Sequence, residues 1–163
     1  DGGDMNKAIH SSNRDDWGTP DWLFGWFDRR YMFTMDAAAT LENSLVGGVC
    51  DGLIDEWAEM TWCNPPYGRS VTGTWVRRAY EQTRKDGCAV VLVPCRTSES
   101  WWEWCDKATI RFEIRGRVKF KGAPTGAPFP SAVLVFTPWH DGPPLVRSLD
   151  RDEMIREHEE NMQ

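Results

Sequence analysis

Hydrophobic and polar positions alternate between two periods along this chain. "MTWC" at 60–63, "CAVVLVP" at 88–94 and "SAVLVF" at 131–136 are apolar blocks too short for helices and bounded by turn residues, so they read as strands. "MFTMDAAA" reads as a shorter strand ending at Asp36. The run "CAVVLVP" is apolar at every position, as in a strand covered on both faces. Helical spacing appears in "TPDWLFGWFDRRY", with Thr19 as N-cap and Pro20 at the first helical position. It appears again in "TGTWVRRAYEQTRKDG", closed by Gly87, and in "SESWWEWCDKA", capped by Ser98. "TIRFEIRGRVKF" alternates as one strand or as two bent at Gly116, "DGLIDEW" is a turn or short helix, and "GAPTGAPFP" is a loop. The tail "LVRSLDRDEMIREHEENMQ" reads as an amphipathic helix. Strand, helix, strand, helix and a final strand pair predict an α/β sheet, mostly parallel, with an antiparallel C-terminal edge hairpin. The 163 residues divide into a flexible segment 1–16, one domain over 17–140 and a helical tail 141–163.

In a mostly parallel sheet, ligands bind beyond the carboxyl ends of the strands. Asp36, Asn64 and Pro94 each stand at such an end, which places "DAAA", "NPPY" and "PCRTSES" on one rim. Pro65 and Pro66 stop the "MTWC" strand because they forbid helix and remove two backbone donors. The Asn64 amide oxygen and the Pro65 carbonyl then form two acceptors in a fixed relation, matching an –NH2 group on a planar ring. Such an amine is a poor nucleophile while its lone pair is delocalised. Two acceptors that draw its hydrogens out of plane favour the tetrahedral nitrogen, and those bonds strengthen toward the transition state. Tyr67 supplies a ring face for stacking, and a base held this way must leave its duplex.

The net charge of −6 argues against a general polyanion binder, but it is unevenly spread. Residues 1–68 carry four basic and twelve acidic side chains, 69–121 carry twelve and six, and 122–163 carry three and seven. The middle third is therefore a candidate electropositive face where nucleic acid would sit, through Arg69, Arg96 and the alternating Arg115, Arg117, Lys119 and Lys121. Five cysteines with no CxxC pair, and three scattered histidines, point to buried free thiols in a reducing cytoplasm and to no metal site. No apolar run reaches the ~18–20 residues needed to span a bilayer, so no membrane association is expected. Most of the ten tryptophans read as core packing.

The ordered pattern "WGTPDWLF … FTMDAAAT … DGLIDEW … WCNPPYG … VVLVPCRTSESWW … RGRVKF … PFPSAVLVF" resembles the compact phage-encoded Dam-type DNA N6-adenine methyltransferases. NPPY alone is shared with the glutamine methyltransferases of release factors, whereas the ordered set is more specific. The resemblance implies a Rossmann-like class I methyltransferase sheet that uses S-adenosyl-L-methionine, releases S-adenosyl-L-homocysteine and methylates adenine N6 in DNA. It implies Asn64, Pro65, Pro66 and Tyr67 as the catalytic tetrapeptide. It implies cofactor contacts from Thr19 and Pro20, from Asp36 with Ala37 and Ala38, and from Asp51, with Asp55 in reserve. Phe120 or Phe129 is the expected second aromatic face for the base. "DAAAT" departs from the Gly-rich cofactor loops of many relatives. The alternatives in view are methylation of RNA adenine, cytosine N4 or a protein glutamine, and a DNA-binding module that has lost its chemistry.

Overall fold

A computed structural model describes residues 17–39, 43–48, 50–68 and 70–163. Helix α1 (Asp21–Tyr31) leads into the two-residue strand β1 (Met35–Asp36), followed by β2 (Met60–Cys63), α2 (Val71–Gln82) and β3 (Cys88–Pro94). A single-turn helix α3 (Trp102–Cys105) precedes β4 (Ile110–Arg115), β5 (Ser131–Phe136), β6 (Leu145–Asp150) and α4 (Arg151–Asn161). The six strands form one sheet in the order β1-β2-β3-β5-β4-β6. Strands β1, β2 and β3 are mutually parallel, β5 is antiparallel to both β3 and β4, and β6 is parallel to β4.

The α/β class and the mostly parallel sheet agree with the sequence reading. The antiparallel element sits elsewhere: β5 lies inside the sheet, and the edge is β6. The expected single tail helix is instead a strand and a helix. "LVRSLD" adds alongside β4, and Asp150 then caps α4 by accepting from the N–H groups of Asp152 and Glu153 at 2.9 and 3.1 Å. Thr19 does not cap α1; the cap position is Pro20, and its carbonyl accepts from the N–H groups of Leu23 and Phe24. The helix expected around Ser98 shrinks to α3.

Period-two alternation divides the core. Val90 and Leu92 of β3, with Val133 and Val135 of β5, face one side, where Leu23, Phe27 and Met154 cover them. Val91 and Val93, with Leu134 and Phe136, face the other side under Trp75, Val76 and Trp102. Both faces are covered, which explains the unbroken apolar sequence of β3. Trp62 is fully buried in an aromatic cluster, with Phe24, Phe27 and Phe33 ring centroids 5.5, 6.1 and 5.6 Å away. This packing fixes the end of β2, and therefore the position of the residues that follow it.

Candidate active site

The parallel strands bring the carboxyl ends of β1, β2 and β3 to one rim, with Asp36, Asn64 and Pro94 at or just beyond them. A cleft that opens to solvent lies over β1 and β2. Its wall includes Thr19, Asp36, Ala38, Asn64, Pro65, Pro66, Tyr67 and Phe120, all singled out from the sequence. Trp17, Gly18, Asn43, Leu45 and Trp62 complete it and were not anticipated. Trp62 carried a signal, because it stands two residues before Asn64 on a strand and faces the same side. The others reach the cleft through loops and left no periodic trace.

The Asn64–Tyr67 corner is held from several directions. Asn64 Nδ2 donates to Thr19 Oγ1 at 3.1 Å, and Thr19 is only 2% exposed. The Pro66 carbonyl accepts from the Thr72 hydroxyl, and that same hydroxyl accepts from the Gly68 N–H, each at 3.1 Å. The turn after the prolines is thereby tied to α2. The Tyr67 hydroxyl reaches the Leu92 carbonyl at 3.4 Å. Its ring meets Phe120 and Phe129 edge-on, with centroids 6.0 and 5.6 Å away. Trp17 stacks on Phe120 at 6.0 Å, and main-chain bonds between Gly18 and Lys121 at 3.1 and 2.8 Å clip these two segments together.

Asp36 provides the charge. Its carboxylate is 7% exposed, Oδ2 accepts from the Leu45 N–H at 3.1 Å, and no cation pairs with it among the described residues. Burial pushes its pKa from 3.8 to about 6, against the pull of backbone N–H groups. The indole N–H of Trp62 is buried without an acceptor among the described residues. Burying a polar group unpaired is costly, so both groups favour a ligand that supplies a cation and an acceptor.

Other predicted residues lie elsewhere. Ala37 is fully buried; its N–H donates to the Trp62 carbonyl, and a Cβ on Gly52 would stand 2.1 Å from its own carbonyl oxygen. The close approach expected from a cofactor at Ala37 is thus made by the chain itself. Asp51 and Asp55 do not line the cleft: Asp55 Oδ2 accepts from the Asp51 N–H at 2.8 Å and Asp51 Oδ1 from the Leu53 N–H at 3.1 Å, which closes their own turn. Pro20 belongs to the start of α1 rather than to the cleft wall. Phe129 stands beside Tyr67 and is covered by the Arg96 guanidinium at 5.2 Å, so it supports the tyrosine from outside the cleft.

Of the predicted basic residues, Arg115 pairs with Asp150 at 3.6 Å and Lys121 with Asp21 at 2.5 Å. Arg96, Arg117 and Lys119 have no carboxylate partner among the described residues. Arg69 lies outside the described residues, as does the segment 1–16. Among the described residues no cluster of three or more His, Cys, Asp or Glu side chains could hold a metal ion, and no helix is long and apolar enough to cross a membrane.

No curated protein matches the chain. Among solved structures, a predicted O-methyltransferase, protein Atu636 from Agrobacterium tumefaciens, is similar at 18% identity with a TM-score of 0.39. That match covers 60% of this chain and 44% of the other, so the chain spans less than half of that protein's length. The family model described as "DNA N-6-adenine-methyltransferase (Dam)" matches residues 6–160, a span that contains the whole cleft. On that match the chain belongs to the DNA N-6-adenine-methyltransferase (Dam) family.

Proposed function

We propose that this methyltransferase transfers a methyl group from S-adenosyl-L-methionine to N6 of an adenine extruded from DNA. One observation carries the reading. The Asn64–Tyr67 corner and a buried carboxylate without a cationic partner among the described residues share a single cleft. The donor set fits the cofactor's amino-acid end: Asp36 is matched to a cation, while the Trp62 indole N–H and the Thr19 hydroxyl are matched to a carboxylate. When bound, S-adenosyl-L-methionine supplies a methyl group activated on a sulfonium.

The residues of the chain do the rest. Asn64 Oδ1 and the Pro65 carbonyl accept the two hydrogens of the amine and localise its lone pair. Tyr67 stacks on the purine and sets its height, a contact worth about 1–3 kcal/mol per base. Proline fixes φ at Pro65 and Pro66, so the acceptors are in place before the substrate arrives and the cost of orienting them is already met. The corner needs no strong base, because the nitrogen becomes acidic once it is methylated and cationic. Arg96, Arg117 and Lys119, with no acidic partners among the described residues, are the candidate phosphate contacts.

Transfer of a radiolabelled methyl group to plasmid DNA, followed by mass analysis of the digested nucleosides, tests the proposal. N6-methyladenine is the expected product. Label found only in RNA, in N4-methylcytosine or in protein overturns it, and so does cofactor uptake without any transfer.

A further inference from the structure

Thr19 is a polar residue with almost no solvent contact, 2% exposed, in the wall of the cleft. Among the described residues its side chain makes one hydrogen bond, as acceptor from Asn64 Nδ2 at 3.1 Å. A threonine hydroxyl has one proton to donate besides the lone pairs with which it accepts. That proton has no acceptor among the described residues. An asparagine amide has two faces of opposite character, and they exchange by a half-turn about one bond. With Nδ2 held by Thr19, Oδ1 is turned away from it. With the opposite orientation, an –NH2 group would face the substrate's own –NH2 group.

We infer that Thr19 is the positioning residue of this site: it holds the Asn64 amide with its oxygen toward the target amine and donates its own proton to the cofactor's carboxylate. The inference rests on the proposed reaction and adds to it a coupling between the two halves of the cleft. A hydroxyl that accepts from one partner becomes a better donor to the next. The Asn64–Thr19 bond therefore strengthens the cofactor contact, and an occupied cofactor site holds the amide in its productive orientation. The sequence reading placed Thr19 against the cofactor alone; the structure adds its second partner. The local fold explains why the residue is so well fixed. Gly18 is bonded through its main chain to Lys121, and Pro20 starts α1, so Thr19 is pinned from both sides.

The test uses the full chain as wild type, Thr19→Val, Thr19→Ser, Asn64→Ala and the double variant Thr19→Val/Asn64→Ala. Valine keeps the shape and removes the hydroxyl, and serine keeps the hydroxyl. Thermal melts show that each variant is folded, and calorimetry gives its affinity for S-adenosyl-L-methionine without any turnover. At saturating cofactor and DNA, Thr19→Val loses kcat on the order of tenfold or more, because a misplaced acceptor costs heavily in rate. Thr19→Ser restores kcat to within about threefold of wild type. In the binding cycle, Thr19→Val and Asn64→Ala each weaken the cofactor, and the double variant is weaker than either by less than the product of the two losses, with a coupling of about threefold or more. Losses that simply multiply in the binding cycle overturn the inference. So does a kcat of Thr19→Val within about twofold of wild type. A wild-type protein that binds the cofactor and methylates no DNA sinks the proposed reaction and leaves the binding cycle to decide the Thr19–Asn64 link. A wild-type protein that binds no cofactor sinks both.

Discussion

Replacement of Asp36 by asparagine separates what the site costs the fold from what it gains in binding. The side chain is 7% exposed, and burial raises its pKa from 3.8 to about 6. Between those values the native state holds a proton that the unfolded chain has released. Stability therefore falls as pH rises through this window, and the full penalty stands at neutral pH. A shift of about two units corresponds to roughly 3 kcal/mol. Asparagine fills the same space and can still accept from the Leu45 N–H, so Asp36→Asn removes the penalty and leaves that bond. In a domain of this size the cofactor-free protein should melt up to about 6–12 °C higher at pH 7.5, and the gain should shrink toward zero near pH 4. Binding should run the other way. If Asp36 meets a cationic group of the cofactor, the charge must be present for tight binding. At pH 5 only about one carboxylate in ten is ionised in the free protein, so the wild type should bind S-adenosyl-L-methionine about tenfold more weakly than at pH 7.5. Calorimetric titration across pH 5–8 measures this directly, and Asp36→Asn should bind weakly with a flat profile. A wild-type affinity independent of pH, or a variant that melts below wild type at pH 7.5, would refute the reasoning.

Three further predictions follow from the same geometry. Asn64→Ala should lower kcat by about 10²–10³, the usual cost of removing a transition-state acceptor or donor, and Tyr67→Ala should weaken base engagement by about 1–3 kcal/mol; single-turnover assays with labelled cofactor measure both. If Arg96, Arg117 and Lys119 are the phosphate contacts proposed above, each replacement by alanine should flatten the dependence of log K on log salt by about 0.9 for duplex DNA, read from fluorescence anisotropy titrations, since none pairs with a carboxylate among the described residues. Gly52→Ala should destabilise the fold by about 3 kcal/mol, seen as a lowered melting temperature. Its Cβ would sit 2.1 Å from the Ala37 carbonyl oxygen and 2.6 Å from the Trp75 ring, where neither main chain nor indole can yield.

The parts of this fold that could be read from the sequence are those where chemistry is local. "MTWC", "CAVVLVP" and "SAVLVF" form strands over the expected residues because a buried strand needs an apolar run and nothing else within it. Asn64 and Asp36 could be placed on one rim because parallel strands put their carboxyl ends together. Strand β6 escaped because it is an edge: Leu145 and Val146 are exposed, so no buried face stamps a pattern on "LVRSLD". Asp51 and Asp55 show the converse. An acidic pair before a turn has the same composition whether it holds a ligand or its own backbone, and here it holds the backbone. Trp17, Asn43 and Leu45 reach the cleft through irregular chain, and only tertiary packing brings them there. The Thr19–Asn64 bond links residues 45 positions apart, a distance at which sequence spacing carries no angular information.

The pairing of Gly18 with Lys121 joins two parts of the cleft wall. Two strips of chain remote in sequence are buttoned together there, so Trp17, Thr19 and Phe120 form one panel rather than three independent side chains. The ring of Phe120 and the hydroxyl-bearing Thr19 are therefore carried on one joined wall of the cleft.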